Sequence, residues 1–179
     1  MNTKQFSLVL AICMMLLGGV QHAKAQFPVK FGIGLEVGLP LTEGLAEHML
    51  GIGATFNASY AMPFHEPLDV IASVGYHRFV YYERLEGVNN PQYVPIKLGA
   101  RYNFNTAFPV FAKLEFGPVI SLQDAEVGEG TSFLVSPGVG TLFGPVRAEL
   151  KYEEWMNSGI ADFGLLSQSF LGLKFTYEF

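Results

Sequence analysis

The chain has 179 residues, half of them hydrophobic and 14% aromatic, with 20 glycines and a formal net charge of −5. That length suits one domain, and the acidic balance argues against a nucleic-acid partner. A single cysteine, Cys13, excludes both an intrachain disulfide framework and a thiolate metal site.

The first segment reads as an export leader. Lys4 supplies a positive start, Phe6 to Leu17 an apolar run, and Ala23-Lys24-Ala25 a small-x-small cleavage site. The sequence therefore predicts a signal peptide over 1–25, cleaved between Ala25 and Gln26, and one domain over 26–179. The apolar run is shorter than the ~20 residues of a membrane-spanning helix. Leu10-Ala11-Ile12-Cys13 makes a poor lipoprotein box, because Ile12 is bulky and the apolar run continues past Cys13. Cleavage removes Lys4, Lys24 and Cys13, so nine of the 11 basic residues face 16 acidic ones, a net charge of −7.

After the leader the apolar residues are dispersed in short segments with period two, the pattern of β-strands. Phe31, Ile33, Leu35, Val37 and Leu39 alternate with Gly32, Gly34, Glu36 and Gly38, predicting a first strand over 31–39. A second is predicted over 52–62, with Ile52, Phe56 and Tyr60 opposite Gly53, Thr55, Asn57 and Ser59. A third covers 68–77, with Asp69, Ser73, Gly75 and His77 on a polar face that Ile71 interrupts. The fourth, 94–104, sets Val94, Ile96, Leu98, Tyr102 and Phe104 against Lys97, Gly99, Arg101 and Asn103.

A fifth strand over 110–120 opposes Leu114 and Phe116 to Lys113, Glu115 and Gly117. The sixth, 132–142, is the least regular, and Pro137 within it predicts a bulge. The seventh, 146–152, sets Val146, Ala148, Leu150 and Tyr152 against Arg147, Glu149 and Lys151. The eighth closes the sequence: Leu171, Leu173, Phe175, Tyr177 and Phe179 face away from Gly172, Lys174, Thr176 and Glu178. Most segments approach the 9–11 residues with which a tilted strand crosses a bilayer.

The connections alternate in length. Those at 63–67, 105–109 and 143–145 are short, and those at 40–51, 78–93, 121–131 and 153–166 are longer. Strands passing up and down through an outer membrane have this rhythm, with short periplasmic turns and longer extracellular loops. An even number of strands places both termini on the periplasmic side. The expected fold is all-β: an eight-stranded antiparallel up-and-down transmembrane β-barrel.

Alternation alone does not say which face lines the barrel. A lipocalin-like soluble barrel puts its apolar face inside, around a ligand. Here the polar face is mostly Gly, Ser, Thr and Asn, which clothes a soluble surface poorly. Its charges nearly balance, with Lys97, Arg101, Lys113, Arg147, Lys151 and Lys174 against Glu36, Asp69, Glu115, Glu149 and Glu178. Aromatic residues (Phe31, Tyr60, Tyr76, Tyr102, Phe104, Tyr152, Tyr177, Phe179) gather near strand ends, as interfacial girdles require. The polar face is therefore expected inside and the apolar face in lipid.

Tyr93-Val-Pro-Ile-Lys-Leu-Gly-Ala-Arg-Tyr-Asn-Phe104 resembles the fourth strand of the small outer-membrane β-barrel domain common in Bacteroidota, a porin-like barrel of OmpX and OmpA type. The Ala25/Gln26 junction is similar to signal cleavage in that phylum. The resemblance spans the chain after the leader and implies a fold and a place in the outer membrane, but no active residues. The ending on Phe175, Tyr177 and Phe179 resembles the C-terminal signature read by the barrel assembly machinery.

An eight-stranded barrel is just wide enough to be filled by side chains, so the eleven lumen charges are expected to pair into a plug. The alternative is a narrow porin-like path whose selectivity is set by Lys97, Arg101, Lys113 and Arg147. No His-x-x-Glu-His or other metal spacing occurs among His48, His65 and His77, so no cofactor, metal or catalytic residue is expected. A lipid-A-modifying enzyme would have to use His77 with Ser73, or His48 with a loop serine. Glu43, Glu47, Glu83, Glu86, Asp124, Glu126, Glu129, Glu153, Glu154 and Asp162 make the long connections acidic. They predict a solvated surface, or divalent-cation bridging to lipopolysaccharide phosphates. Val80-Tyr81-Tyr82 and Trp155-Met156 are expected in loops, folded over the mouth or forming a docking surface. The functional expectation is a non-enzymatic structural or surface-interaction protein. Its expected partners are outer-membrane lipids, lipopolysaccharide, the assembly machinery and an envelope protein; a subunit of a larger envelope complex is the alternative role.

Overall fold

The computed structural model describes residues 29–41, 49–63, 67–81, 90–122, 132–156 and 167–179. The leader with Ala25 and Gln26, His48, His65, Tyr82 and the loop acids other than Glu153 and Glu154 lie outside these residues. The described residues form eight strands: β1 (Val29–Pro40), β2 (Met49–Ala61), β3 (Leu68–Tyr81), β4 (Gln92–Asn103), β5 (Val110–Ser121), β6 (Ser132–Phe143), β7 (Val146–Met156) and β8 (Ser167–Glu178). Each pairs antiparallel with its chain neighbours, and β8 returns to β1 to close the barrel.

At the closing seam, Glu36 sits opposite Lys174 and Gly32 opposite Glu178. Phe31 and Phe179 exchange backbone hydrogen bonds of 3.2 and 2.8 Å. Closure removes the unpaired edges that an open sheet would expose.

The strand registers fix the barrel's shape. Following paired residues once around leads from Phe31 through Ala58, Ala72, Leu98, Phe116, Val135, Glu154 and Ser169 to Leu41, ten residues further along β1. A shift of ten over eight strands sets a tilt of about 40° and a backbone radius of about 8 Å. A tilted twelve-residue strand then rises about 30 Å, enough to span the hydrocarbon core.

One end of the barrel carries the short connections and is called the turn end. There Phe143 pairs with Val146 across Gly144-Pro145, with Gly144 at φ 61°. Positive φ at the first position followed by proline is a type II′ hairpin, which glycine adopts at little cost. The other, loop end carries the long connections.

Two details differ from the sequence reading. Pro137 makes no bulge: β5–β6 and β6–β7 each keep one register on both sides of it. Proline simply lacks the N–H for one rung. Several strands also run further toward the loop end than predicted: β3 to Tyr81, β7 to Met156, and β2 from Met49.

The faces are inverted relative to a soluble barrel. Leu35, Ile52, Val74, Leu98, Leu114, Leu150 and Phe175 point outward and are 43–67% exposed. The charged face points in. Tyr60, Tyr102, Phe104, Phe143 and Tyr177 ring the outside of the turn end, while Tyr76, Phe116, Phe133 and Tyr152 lie outward nearer the loop end. A molecule built this way is satisfied only in an apolar medium.

Candidate functional site

The inner face has three layers. At the turn end, Arg101 reaches from β4 to Asp69 of β3, with Nη2–Oδ2 and Nε–Oδ2 distances of 2.6 and 2.9 Å. It also donates to Glu178 of β8 at 3.0 Å. Arg147 of β7 contacts the same Glu178. Asn103 completes Asp69 with a 2.9 Å bond. The Phe111 ring lies under both guanidinium groups, 5.8 Å from Arg101 and 5.5 Å from Arg147, a cation–π arrangement on desolvated arginines.

The middle layer is built from lysines and glutamates. Lys113 pairs with Glu115 and, at 2.8 Å, with Glu149. Ser73 donates to Glu115 at 2.9 Å. Lys97 lies 2.9 Å from Glu153 and 4.0 Å from Glu115. Lys151 joins Glu153 to Glu36, both at 2.8 Å. Glu36 in turn contacts His77. These side chains are almost wholly shielded from solvent, and burial at this level is tolerated only because each charge meets its opposite.

Glycines make the layer possible. A Cβ added at Gly172 would fall 2.8 Å from Lys151 Cε, and one at Gly34 would fall 2.9 Å from Lys174 Cε. Long lysine chains therefore lie against bare backbone at these glycines and would have to shift for a Cβ there.

The third layer, at the loop end, is apolar. Met49, Phe79, Tyr93, Val119, Leu134, Trp155 and Phe170 point inward and form one cluster, with Tyr81 packed against it. Trp155 is fully buried at its centre. Its ring lies 4.9 Å from Phe170, 5.1 Å from Tyr93 and 5.7 Å from Phe79. Tilted and edge-to-face contacts of this kind are the favourable aromatic geometries. The cluster lies over the ion pairs on the loop-end side, with a cavity of about 20 Å³ between Phe79, Trp155 and Phe170 and the charges of Glu36, Lys151 and Glu153.

Each predicted lumen residue can now be located. Glu36, Asp69, Lys97, Arg101, Lys113, Glu115, Arg147, Glu149, Lys151, Lys174 and Glu178 all lie on the inner face. Lys174 alone among these six cations has no carboxylate within 4.0 Å among the described residues; its Nζ donates to Asn57 at 2.9 Å.

Glu153 requires a correction. It belongs to the lumen rather than the acidic rim, where it accepts from Lys97, Lys151 and Trp155. Trp155 is a strand residue inside the barrel, not a loop residue. Glu154, one step along, faces outward and accepts from Tyr152 and, at 2.8 Å, from Ser169. His77 and Ser73 do not form a pair, since His77 contacts Glu36 while Ser73 donates to Glu115. Both lie inside the barrel, away from its lipid-facing surface. Among the described residues, no three His, Cys, Asp or Glu side chains are grouped to hold a metal.

No protein-family model and no curated protein matches the chain. Solved structures do. The Yersinia pestis outer membrane protein Ail in a phospholipid bilayer nanodisc is 16% identical, with 84% of this chain and 99% of that one covered, at a TM-score of 0.55. The Ail crystal structure is 18% identical, with 84% and 97% covered and a TM-score of 0.52. A de novo designed transmembrane β-barrel is 12% identical, with 86% and 98% covered and a TM-score of 0.52. The chain therefore has the fold of the eight-stranded transmembrane β-barrels. At these identities the likeness concerns the fold alone.

Proposed function

We propose that this is an integral outer-membrane β-barrel protein of a Gram-negative bacterium, with periplasmic termini and extracellular loops. Its role is structural or surface-interacting and non-enzymatic. It belongs, on this reading, with the small Bacteroidota barrels that its fourth strand resembles. The leader ending at Ala25 supports export, and the Phe175-Tyr177-Phe179 ending supports handling by the barrel assembly machinery. Outer-membrane lipids and lipopolysaccharide are then its immediate partners.

The observation that carries the closed, non-transporting reading is the filling of the lumen by side chains, which leaves only small cavities of about 20 Å³ among the described residues. Paired charges occupy two layers, and the Trp155 cluster covers the third. An ion entering from the loop end would have to displace packed aromatic rings and then break buried pairs. The chemistry of the site points the same way, because His77 contacts Glu36 and Ser73 donates to Glu115, so these two do not form a catalytic pair. What remains available to a partner is the acidic loop surface and the lipid-facing wall.

Cysteine labelling tests the placement, because the exported chain has no cysteine of its own. Gly128→Cys lies in a long connection and Ala107→Cys in a short one. A membrane-impermeant maleimide on intact cells should label the first and spare the second. Labelling of Ala107→Cys but not Gly128→Cys, or recovery of the protein outside the outer-membrane fraction, contradicts the proposal.

A further inference from the structure

The turn-end half of the lumen contains a cavity of about 20 Å³, the room of roughly one or two waters. Lys30, Arg101, Lys113, Arg147 and Lys174 line it, against only Glu149 and Glu178. Both carboxylates are already engaged: Glu178 by Arg101 and Arg147, and Glu149 by Lys113. The local balance is therefore positive although the inner face as a whole is nearly neutral.

Donors in the same cavity lack acceptors. Lys174 is 2% exposed and holds only the neutral carbonyl of Asn57. The Nη1 of Arg147 and the Nδ2 of Asn57 are buried without any hydrogen-bond partner; the Oε1 of Glu149 also lacks one, but it is held in an ion pair with Lys113 at 2.8 Å. An unpaired buried cation is costly, and so is each unsatisfied N–H. Three donors on β2, β7 and β8 line one small chamber that is short of negative charge.

We propose that this chamber is a binding site for a small inorganic anion of about the size of chloride, held by Lys174, Arg147 and Asn57. The anion supplies the negative charge the chamber lacks and accepts from the unpartnered Arg147 Nη1 and Asn57 Nδ2 and from Lys174, whose one partner is a neutral carbonyl. Bulkier organic anions do not fit. The site opens toward the turn end, where Lys30 is exposed at the rim.

The test uses the full barrel, folded in detergent. Its thermal unfolding is followed in sodium chloride, sodium bromide and sodium gluconate at constant ionic strength. Chloride and bromide should stabilise it saturably relative to gluconate, with half-saturation weakened by about tenfold or more in Lys174→Met, which keeps the stem and removes the charge. Equal melting in the three salts, or an equal halide response in wild type and variant, overturns the site. If Lys174→Met does not fold, anomalous diffraction from wild-type crystals in bromide decides. A bromide peak within contact distance of Lys174 Nζ and Arg147 supports the site, and a chamber without one refutes it.

Discussion

The indole Nε1 of Trp155 donates to Glu153 Oε2 at 3.2 Å, and this bond joins the two halves of the lumen. Above it lies the aromatic cap. Below it Glu153 accepts from Lys97 and Lys151, and Lys151 reaches on to Glu36. One side chain thus packs the plug at the mouth and satisfies part of the buried ion-pair chain. Trp155→Ala should destabilise the barrel by about 3–5 kcal/mol, mostly through the cavity it leaves. Trp155→Phe keeps most of the packing and should cost about 1–2 kcal/mol for the unsatisfied acceptor and lost volume. Urea unfolding of the detergent-folded protein measures both.

Arg101 holds Asp69 and Glu178 together across three strands. Arg101→Met leaves two buried carboxylates short of a partner and should cost about 3–5 kcal/mol. Adding Asp69→Asn removes one of those charges, so the double variant should recover part of the loss. A double-mutant cycle by equilibrium unfolding gives the coupling. Strict additivity would show that the pair contributes nothing specific.

At the β4–β5 seam the backbones approach so closely that a Cβ at Gly117 would sit 1.9 Å from the Ile96 carbonyl oxygen. A Cβ at Gly99 would sit 2.0 Å from that of Leu114. Gly117→Ala and Gly99→Ala should each cost about 1–3 kcal/mol, since backbone rather than a flexible side-chain end must move. Gly38→Ala meets nothing within 4 Å and should stay within about 0.5 kcal/mol of wild type. Melting temperatures of the three variants check the contrast.

Leu35 is the most exposed aliphatic residue of the belt, at 67%. On a water-facing surface Leu35→Arg would be neutral. On a lipid-facing wall near mid-membrane it should cost about 2–4 kcal/mol. Folding equilibria in phospholipid vesicles distinguish the two.

The architecture was readable because most strands alternate between a lipid face and a polar lumen, Ile71 in the third and the irregular sixth aside. That contrast is also where reading stopped. Beyond His77 in β3 and Tyr152 in β7, the inner face turns apolar with Phe79 and Trp155, so both faces look alike and period two fades. The strands continue regardless, since backbone pairing depends on register rather than on contrast. Parity still held the answer: Arg147, Glu149 and Lys151 share a face with Glu153 and Trp155, as Lys113 does with Phe111 one step the other way. The partners within the lumen were not readable. Lys97–Glu153 and Arg101–Glu178 join strands that are not neighbours, and only the barrel's curvature brings them together. The short connection expected over 143–145 is present as the tight turn at Gly144-Pro145, whose type was not read from the sequence.

Planar-bilayer recording of the purified, refolded protein tests whether the lumen is closed. With two layers of paired charge beneath the Trp155 cap, the membrane current should stay at baseline across a wide voltage range, without steady unitary openings. Reproducible, long-lived conductance steps from the wild-type protein would contradict the account.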